Sequence, residues 1–369
     1  MLYCIEPLWN NGKQHSNKQY RNVVVFGTYN RAHLMRQSMY VYSECLDHRY
    51  NDAVVVLDDG STDDTLDVCA QYAANVDVFY FKLQDKQPGE WRDSAAFLNM
   101  GISFAIHALN AHRVIPTHPE IVPGIHTFAA INSAPEGIDF VMFRGYYLPV
   151  ELQLRYEAFI DCVKDGRISG GKYNPKGRVF DWSIQTFKAL CPDWYDYGDP
   201  NHDFHPNNLE RDPEPFQSWI FCSATAEVWK RYGGFSESNV WGSIDLNQMA
   251  RRNRGGFTIA TPVEVDAWVL HQNHDDPRFN TITPRNMDLC METCRTLDET
   301  PCQPELLNPE RWKSKSTHRI EKSDLENLEL DPLPIRRGCF GECACIGTCL
   351  DVVGYISRVD YEQGKPHLL

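Results

Sequence analysis

Asp58 and Asp59 stand side by side, directly before Gly60 and Ser61. Two adjacent carboxylates repel each other unless a cation or hydrogen-bond donors face them. One could accept from a ribose hydroxyl and the other from a pyrimidine N–H. Gly60 permits a tight turn, and Ser61 or Thr62 can cap a following helix. A surface turn with capping aspartates fits the same residues. A second group, His118-Pro119-Glu120, sets an imidazole near a carboxylate, and a third sets His271 three residues before His274. A lone histidine is usually structural, so these need a context. Asp245 opens a helical stretch, where a carboxylate suits either a general base or the positive end of the helix dipole. Cys339, Cys343, Cys345 and Cys349 form a fourth group near the end of the chain. Four thiolates so close could hold a structural Zn2+ or an iron–sulfur cluster, or remain free.

The elements that must position these groups follow from the hydrophobic pattern. Val23–Phe26, Ala53–Leu57, Val76–Phe81 and Val114-Ile115 are short β-branched runs and read as buried parallel strands. Between them lie amphipathic helices from about Asn30, as N-cap, to Cys45, from Thr62 to Ala74 and from Ser94 to Leu109. This alternation predicts βαβ units in a doubly wound sheet, where ligands sit beyond the carboxyl ends of the strands. Thr28-Tyr29-Asn30, Asp58-Asp59 and His118 with Glu120 all fall at those ends. Residues 144–216 read as an irregular insertion rich in Tyr, Trp, Asp and Pro. Order resumes with a strand at 218–222, helices at 227–232 and 243–254, and a strand from Val263 to Leu270 that ends at His271.

Composition bounds the reading. A chain of 369 residues with 42% hydrophobic residues can bury a large core. The net charge of -14 speaks against a broad grip on nucleic acid. No apolar run is long enough for a membrane span, and the first residues are too polar for a secretory signal, so a cytoplasmic location is expected. For a viral protein that means the host cytoplasm. The 13 cysteines are skewed toward the C-terminal end, which marks it as a different kind of structure.

Three blocks carry a resemblance. They are Val25-Phe26-Gly27-Thr28-Tyr29-Asn30-Arg31, Val56-Leu57-Asp58-Asp59-Gly60-Ser61-Thr62-Asp63 and Ala96-Phe97-Leu98-Asn99-Met100-Gly101-Ile102. In order and spacing they resemble the family 2 glycosyltransferases of the GT-A fold. The resemblance implies an α/β, Rossmann-like, mostly parallel sheet flanked by helices, with an irregular acceptor-side insertion and a Cys-rich C-terminal extension. It divides the chain into an N-terminal arm (1–21), a glycosyltransferase domain (22–275) and the extension (276–369). Within the domain, 22–145 is the nucleotide-sugar half and 146–275 the acceptor and catalytic half. It implies donor contacts from Thr28, Tyr29, Asn30, Arg31, Asp58, Asp59, Arg92 and Asn99.

The sequence departs from that family at the metal motif. Where relatives carry Asp-x-Asp, this chain has His118-Pro119-Glu120, similar to a Pro-Glu variant in some phage and viral members. By resemblance His118 takes the place of the first Asp on the donor side, Glu120 is a metal ligand, and His271 and His274 match a late metal ligand. Mn2+ or Mg2+ is the implied cofactor, and a histidine ligand shifts the preference toward Mn2+. Gly233-Gly234-Phe235-Ser236-Glu237 and Trp241-Gly242-Ser243-Ile244-Asp245 resemble the acceptor-side segments, with Ile244 in place of an acid.

The resulting expectation is an inverting transfer from a UDP-linked or related sugar to an acceptor hydroxyl, with Asp245 as base. The acceptor could be a glycan, a lipid-linked sugar, a protein side chain or a modified nucleic-acid base, the last disfavoured by the acidic charge. The altered motif and Ile244 keep open a non-catalytic nucleotide-sugar-binding protein. A nucleotidyltransferase-like protein is the other alternative, though Gly27-Thr28-Tyr29-Asn30 lacks its Gly-rich phosphate loop.

Overall fold

The computed structural model describes residues 2–4, 19–46, 50–83, 92–124, 127–147, 217–237, 251, 255–260, 267–272, 274 and 302–312. The elements are β1 (Leu2–Cys4), β2 (Asn22–Thr28), α1 (Ala32–Cys45), β3 (Ala53–Asp58), α2 (Thr65–Tyr72), β4 (Asp77–Lys82), α3 (Ser94–His107) and β5 (Arg113–Thr117). There follow β6 (Ile121–Pro123), α4 (Thr127–Asn132), β7 (Phe140–Tyr147), β8 (Gln217–Thr225), α5 (Ala226–Tyr232), β9 (Ile259–Ala260) and β10 (Trp268–His271). Two short 3-10 turns, Pro304–Leu307 and Pro309–Trp312, come last.

The strands form one sheet in the order β1-β4-β3-β2-β5-β8-β7-β10-β6, with β9 on β7. β4, β3, β2 and β5 are parallel neighbours. Their continuous apolar runs are explained by cover on both faces. Val54 and Val56 join the core with α1, α2 and α4, while Val55 and Leu57 join the core with α3 and α5. β8 runs antiparallel to both β5 and β7. β10 is parallel to β7 and antiparallel to β6. The carboxyl ends of β2, β3, β5 and β10 therefore share one edge, and β6 begins there.

Several elements differ from expectation. β1 lies within the expected N-terminal arm and pairs in parallel with Val78–Tyr80 of β4, covering an otherwise open edge. β6 has only three residues and ends in proline, so its pattern is too short to read. β7 runs on through Arg144-Gly145-Tyr146-Tyr147, which look like the start of an insertion. The last strand is described from Trp268, and residues 261–266 lie outside the described residues. Past the expected boundary at 276, residues 302–312 return to the core. Leu307 and Trp312 are buried there, and Ser103 Oγ donates to the Leu307 carbonyl at 2.8 Å. Among the described residues no helix is long and apolar enough to cross a membrane. The four clustered cysteines at 339–349, and any Zn2+ they would hold, lie outside the described residues.

Gly101 sets the distance between α3 and the parallel strands. A Cβ there would lie 2.3 Å from Val25 Cγ1 and 2.9 Å from Leu57 Cδ1. Overpacking of this kind costs about 1–3 kcal/mol, more than the ~1 kcal/mol that alanine gains over glycine in a helix. Gly101→Ala is expected to lower the urea unfolding midpoint, and an unchanged or raised midpoint would contradict this packing.

Candidate functional site

The donor side is built by two loops that hold each other. Asn30 has φ 52 and so cannot serve as the N-cap expected from the sequence. Its N–H donates to Ser61 Oγ at 2.9 Å, and its Oδ1 accepts from Thr62 N at 2.8 Å. Helix α1 is capped instead from the neighbouring loop. Asp63 Oδ2 accepts from Ala32 N at 2.9 Å, and Asp63 Oδ1 accepts from Thr65 N at 3.2 Å. One carboxylate thus serves the first N–H of both α1 and α2. Arg31 sits half-buried at the start of α1.

The paired aspartates divide their work. Asp58 accepts from Ser61 N at 2.7 Å and from the Tyr80 hydroxyl, and it is 1% exposed. Burial pushes its pKa up, while the bonds from Ser61 and Tyr80 pull it back. Asp58 therefore holds the turn. Asp59 is paired with Arg92 at 3.0 Å. The cation that adjacent carboxylates require is thus Arg92, a residue of the donor list. Thr28 Oγ1 is buried and finds no hydrogen-bond partner among the described residues, while Tyr29 beside it is 40% exposed.

Glu120, His271 and His274 come together on the same edge, although they are far apart in sequence. Ile121 lies opposite His271 in the β6–β10 ladder. Gln272 N donates to the Glu120 carbonyl at 3.1 Å, and Gln272 Nε2 donates to the Leu34 carbonyl at 3.0 Å. Ser38 Oγ fixes the Pro119 carbonyl at 2.7 Å. Around Glu120 Oε1 lie His274 Nε2 at 3.3 Å, His118 Nδ1 at 3.4 Å and His271 Nε2 at 3.8 Å. His271 Nδ1 meets the Gln272 carbonyl at 2.8 Å, and a carbonyl only accepts, so Nδ1 carries the proton and Nε2 faces the carboxylate.

Burial raises the Glu120 pKa, but the facing His118, His274 and His271 together outweigh it and hold the carboxyl well below its usual range. Burial, with His274 and His118 nearby, pushes His271 down to about 4 despite the opposing pull of Glu120. At neutral pH the cluster is a carboxylate beside a neutral imidazole, the protonation that metal binding requires. Ligand atoms of Glu120, His271 and His274 all lie within 4.8 Å of one another. Ligands about 2.1 Å from a six-coordinate ion sit ~3 to ~4 Å apart, so small side-chain shifts bring this set onto one cation. The residues fit a divalent metal.

Asn99 is placed elsewhere than expected. It is 0% exposed, and it accepts from Phe235 N at 2.5 Å and donates to the Phe235 carbonyl at 2.8 Å and to Glu237 Oε1 at 2.7 Å. Its amide holds the segment after α5 and does not join the donor side. Arg311 grips the same Glu237 through both carboxylate oxygens, at 3.0 and 2.8 Å. Neither Glu237 nor Arg311 was among the candidates, because their pairing joins residues far apart in the chain. Asp245 and Ile244 lie outside the described residues, as do residues 148–216 of the insertion.

No curated protein matches the chain. A mannosyltransferase from Pyrobaculum calidifontis in complex with GDP-Man and Mn2+ is 16% identical, with 80% of this chain and 70% of that chain covered and a TM-score of 0.43. Glucosyl-3-phosphoglycerate synthase from Mycobacterium tuberculosis, with Mn2+, UDP and phosphoglyceric acid, is 14% identical, with coverage of 76% and 80% and a TM-score of 0.39. TarS 1-349 from S. aureus is 13% identical, with coverage of 68% and 60% and a TM-score of 0.39. The family model "Glycosyl transferase family 2" matches residues 23–105, which span β2 through most of α3. This segment, which holds the paired aspartates and the parallel strands β2, β3 and β4, is similar to glycosyl transferase family 2.

Proposed function

We propose that the protein transfers a sugar from a nucleotide-diphosphate sugar, UDP-linked, to an acceptor hydroxyl with inversion. The observation that carries this reading is the shared strand edge. It brings Thr28, Asp59 and Arg92 to the same side of the sheet as Glu120, His271 and His274. Ligands in open α/β sheets bind beyond such an edge.

In this reading Tyr29 stacks on the base, while Thr28 Oγ1 and Asp59 contact the nucleoside. Arg92 keeps Asp59 ionised and oriented. Glu120, His271 and His274 hold a divalent cation, which when bound offsets charge on the diphosphate. Asp245 is the proposed base. It removes the acceptor proton as the acceptor oxygen attacks the anomeric carbon. The bond from that carbon to the diphosphate oxygen breaks, and the nucleoside diphosphate leaves with both electrons. Support for Asp245 is its sequence context after Trp241-Gly242.

The test is release of nucleoside diphosphate from a panel of UDP-, GDP- and ADP-sugars with Mn2+ present. Asp245→Asn is expected to lower kcat by a factor of about 10²–10⁴ while UDP still binds in calorimetry. No release from any donor, unchanged by this substitution, would reassign the protein to nucleotide-sugar binding without catalysis.

The two aspartates are expected to separate cleanly. Asp59→Ala should weaken UDP binding by about tenfold or more, the scale of a hydrogen bond to a charged group, in protein that a thermal melt shows still folded. Asp58→Ala should instead lower the melting temperature, because Tyr80 and Ser61 lose their buried acceptor. The reverse pattern would exchange their roles.

A further inference from the structure

We propose that Arg311 is a positioning residue for the acceptor half. Its ion pair with Glu237 latches the segment Gly233–Glu237 in place and so fixes the start of the stretch that leads to Asp245. What the latch serves rests on the transfer proposed above; the latch itself does not.

The segment leaves α5 at Tyr232 and is held at successive points. Gln303 N donates to the Tyr232 carbonyl at 3.2 Å, and Gly233 pairs in parallel with Gln303. A Cβ at Gly233 would lie 2.2 Å from the Gln303 carbonyl carbon, so the two backbones touch. The buried Arg251 donates from Nη1 to the Gly234 carbonyl. Asn99 of α3 engages both the N–H and the carbonyl of Phe235. Glu237 closes the series. Its Oε1 accepts from Asn99 and Arg311, and its Oε2 accepts from Arg311.

The hold on Glu237 differs in kind from the others. Gly233, Gly234 and Phe235 are held by their backbone, whereas Glu237 is held by its side chain, at the end nearest Asp245 in sequence. A guanidinium that meets both oxygens of a carboxylate fixes its direction as well as its distance. Arg311 is itself set. Its Nη1 also donates to the Leu306 carbonyl at 2.8 Å, and its guanidinium lies 4.7 Å from the ring centre of the buried Trp312. Behind it, Ser103 ties Leu307 to α3. With both oxygens so engaged, Glu237 is a joint and not the proton acceptor of the transfer. In the proposed reaction a shift at Glu237 moves the base, and a misplacement of about 1 Å can cost about 100-fold in rate. The side chains of Arg311 and Glu237 are 33% and 21% exposed, so losing the pair leaves the core intact.

The experiment compares the full chain with Arg311→Gln, Arg311→Lys and Glu237→Gln. For Arg311→Gln, kcat for nucleoside diphosphate release is expected to fall by about ten- to a hundredfold, while UDP affinity in calorimetry stays within about twofold. Amide hydrogen exchange over Gly233–Glu237 speeds up, with that of β2 and β3 unchanged. Arg311→Lys keeps the charge without the two-point grip and falls between. Glu237→Gln matches Arg311→Gln, and the double substitution is no worse than either, because both remove one interaction. Unchanged exchange over Gly233–Glu237, full activity in Arg311→Gln, or UDP affinity that falls in step with kcat overturns the proposal. If thermal melts show Arg311→Gln unfolded, Arg311→Lys carries the same readouts. Faster exchange in the variant, with no release from any donor even by the wild type, sinks the transfer reading and leaves the latch standing. Turnover and exchange both untouched by Arg311→Gln do the opposite.

Discussion

The pairing of β10 with β6 is the constraint on which the site depends. Gln272 and Glu120 are 152 residues apart, yet their backbones and the Gln272 side chain are bonded. Without that ladder, Glu120 would end a turn after β5 and the histidines would belong to a distant strand. The ladder exists because the sheet reverses direction at β8 and then recovers it through β7 and β10. The antiparallel strand is thus what carries a late segment back to the edge used by β2, β3 and β5.

Electrostatics then follows from geometry. The chain is acidic overall, but the two local carboxylate sites solve their repulsion differently. Asp58 is buried among neutral donors, and Asp59 is held by a guanidinium. Glu120 is held by imidazoles. The acidic balance therefore says little about the site, where each carboxylate has its own compensation.

The parallel half was legible because strands covered on both faces must be apolar throughout, as Ala53-Val54-Val55-Val56-Leu57 are. The positions of the polar clusters at strand ends followed from that alternation. What could not be read was the division between neighbours. Asp58 and Asp59 look equivalent in sequence, but consecutive residues leaving a strand point to opposite sides. Asn30 has the chemistry of an N-cap, yet Asp63 from another loop performs it. Asn99 sits within a matching block and nevertheless serves Phe235 and Glu237. Short strands such as β1 and β6 carry too few residues for any period to show. These features depend on partners distant in sequence, and local pattern contains no record of them.

The shared carboxylate of Asp63 has a mechanical consequence. A loop that carries its own cap can swing open at the cost of its own contacts. Here α1 and α2 draw their first cap from one side chain, and Asn30 and Ser61 cross-link the same two loops. Moving either loop alone would strand donors of the other. The loops that follow β2 and β3 are thus tied into one wall, and opening it requires breaking these shared bonds together.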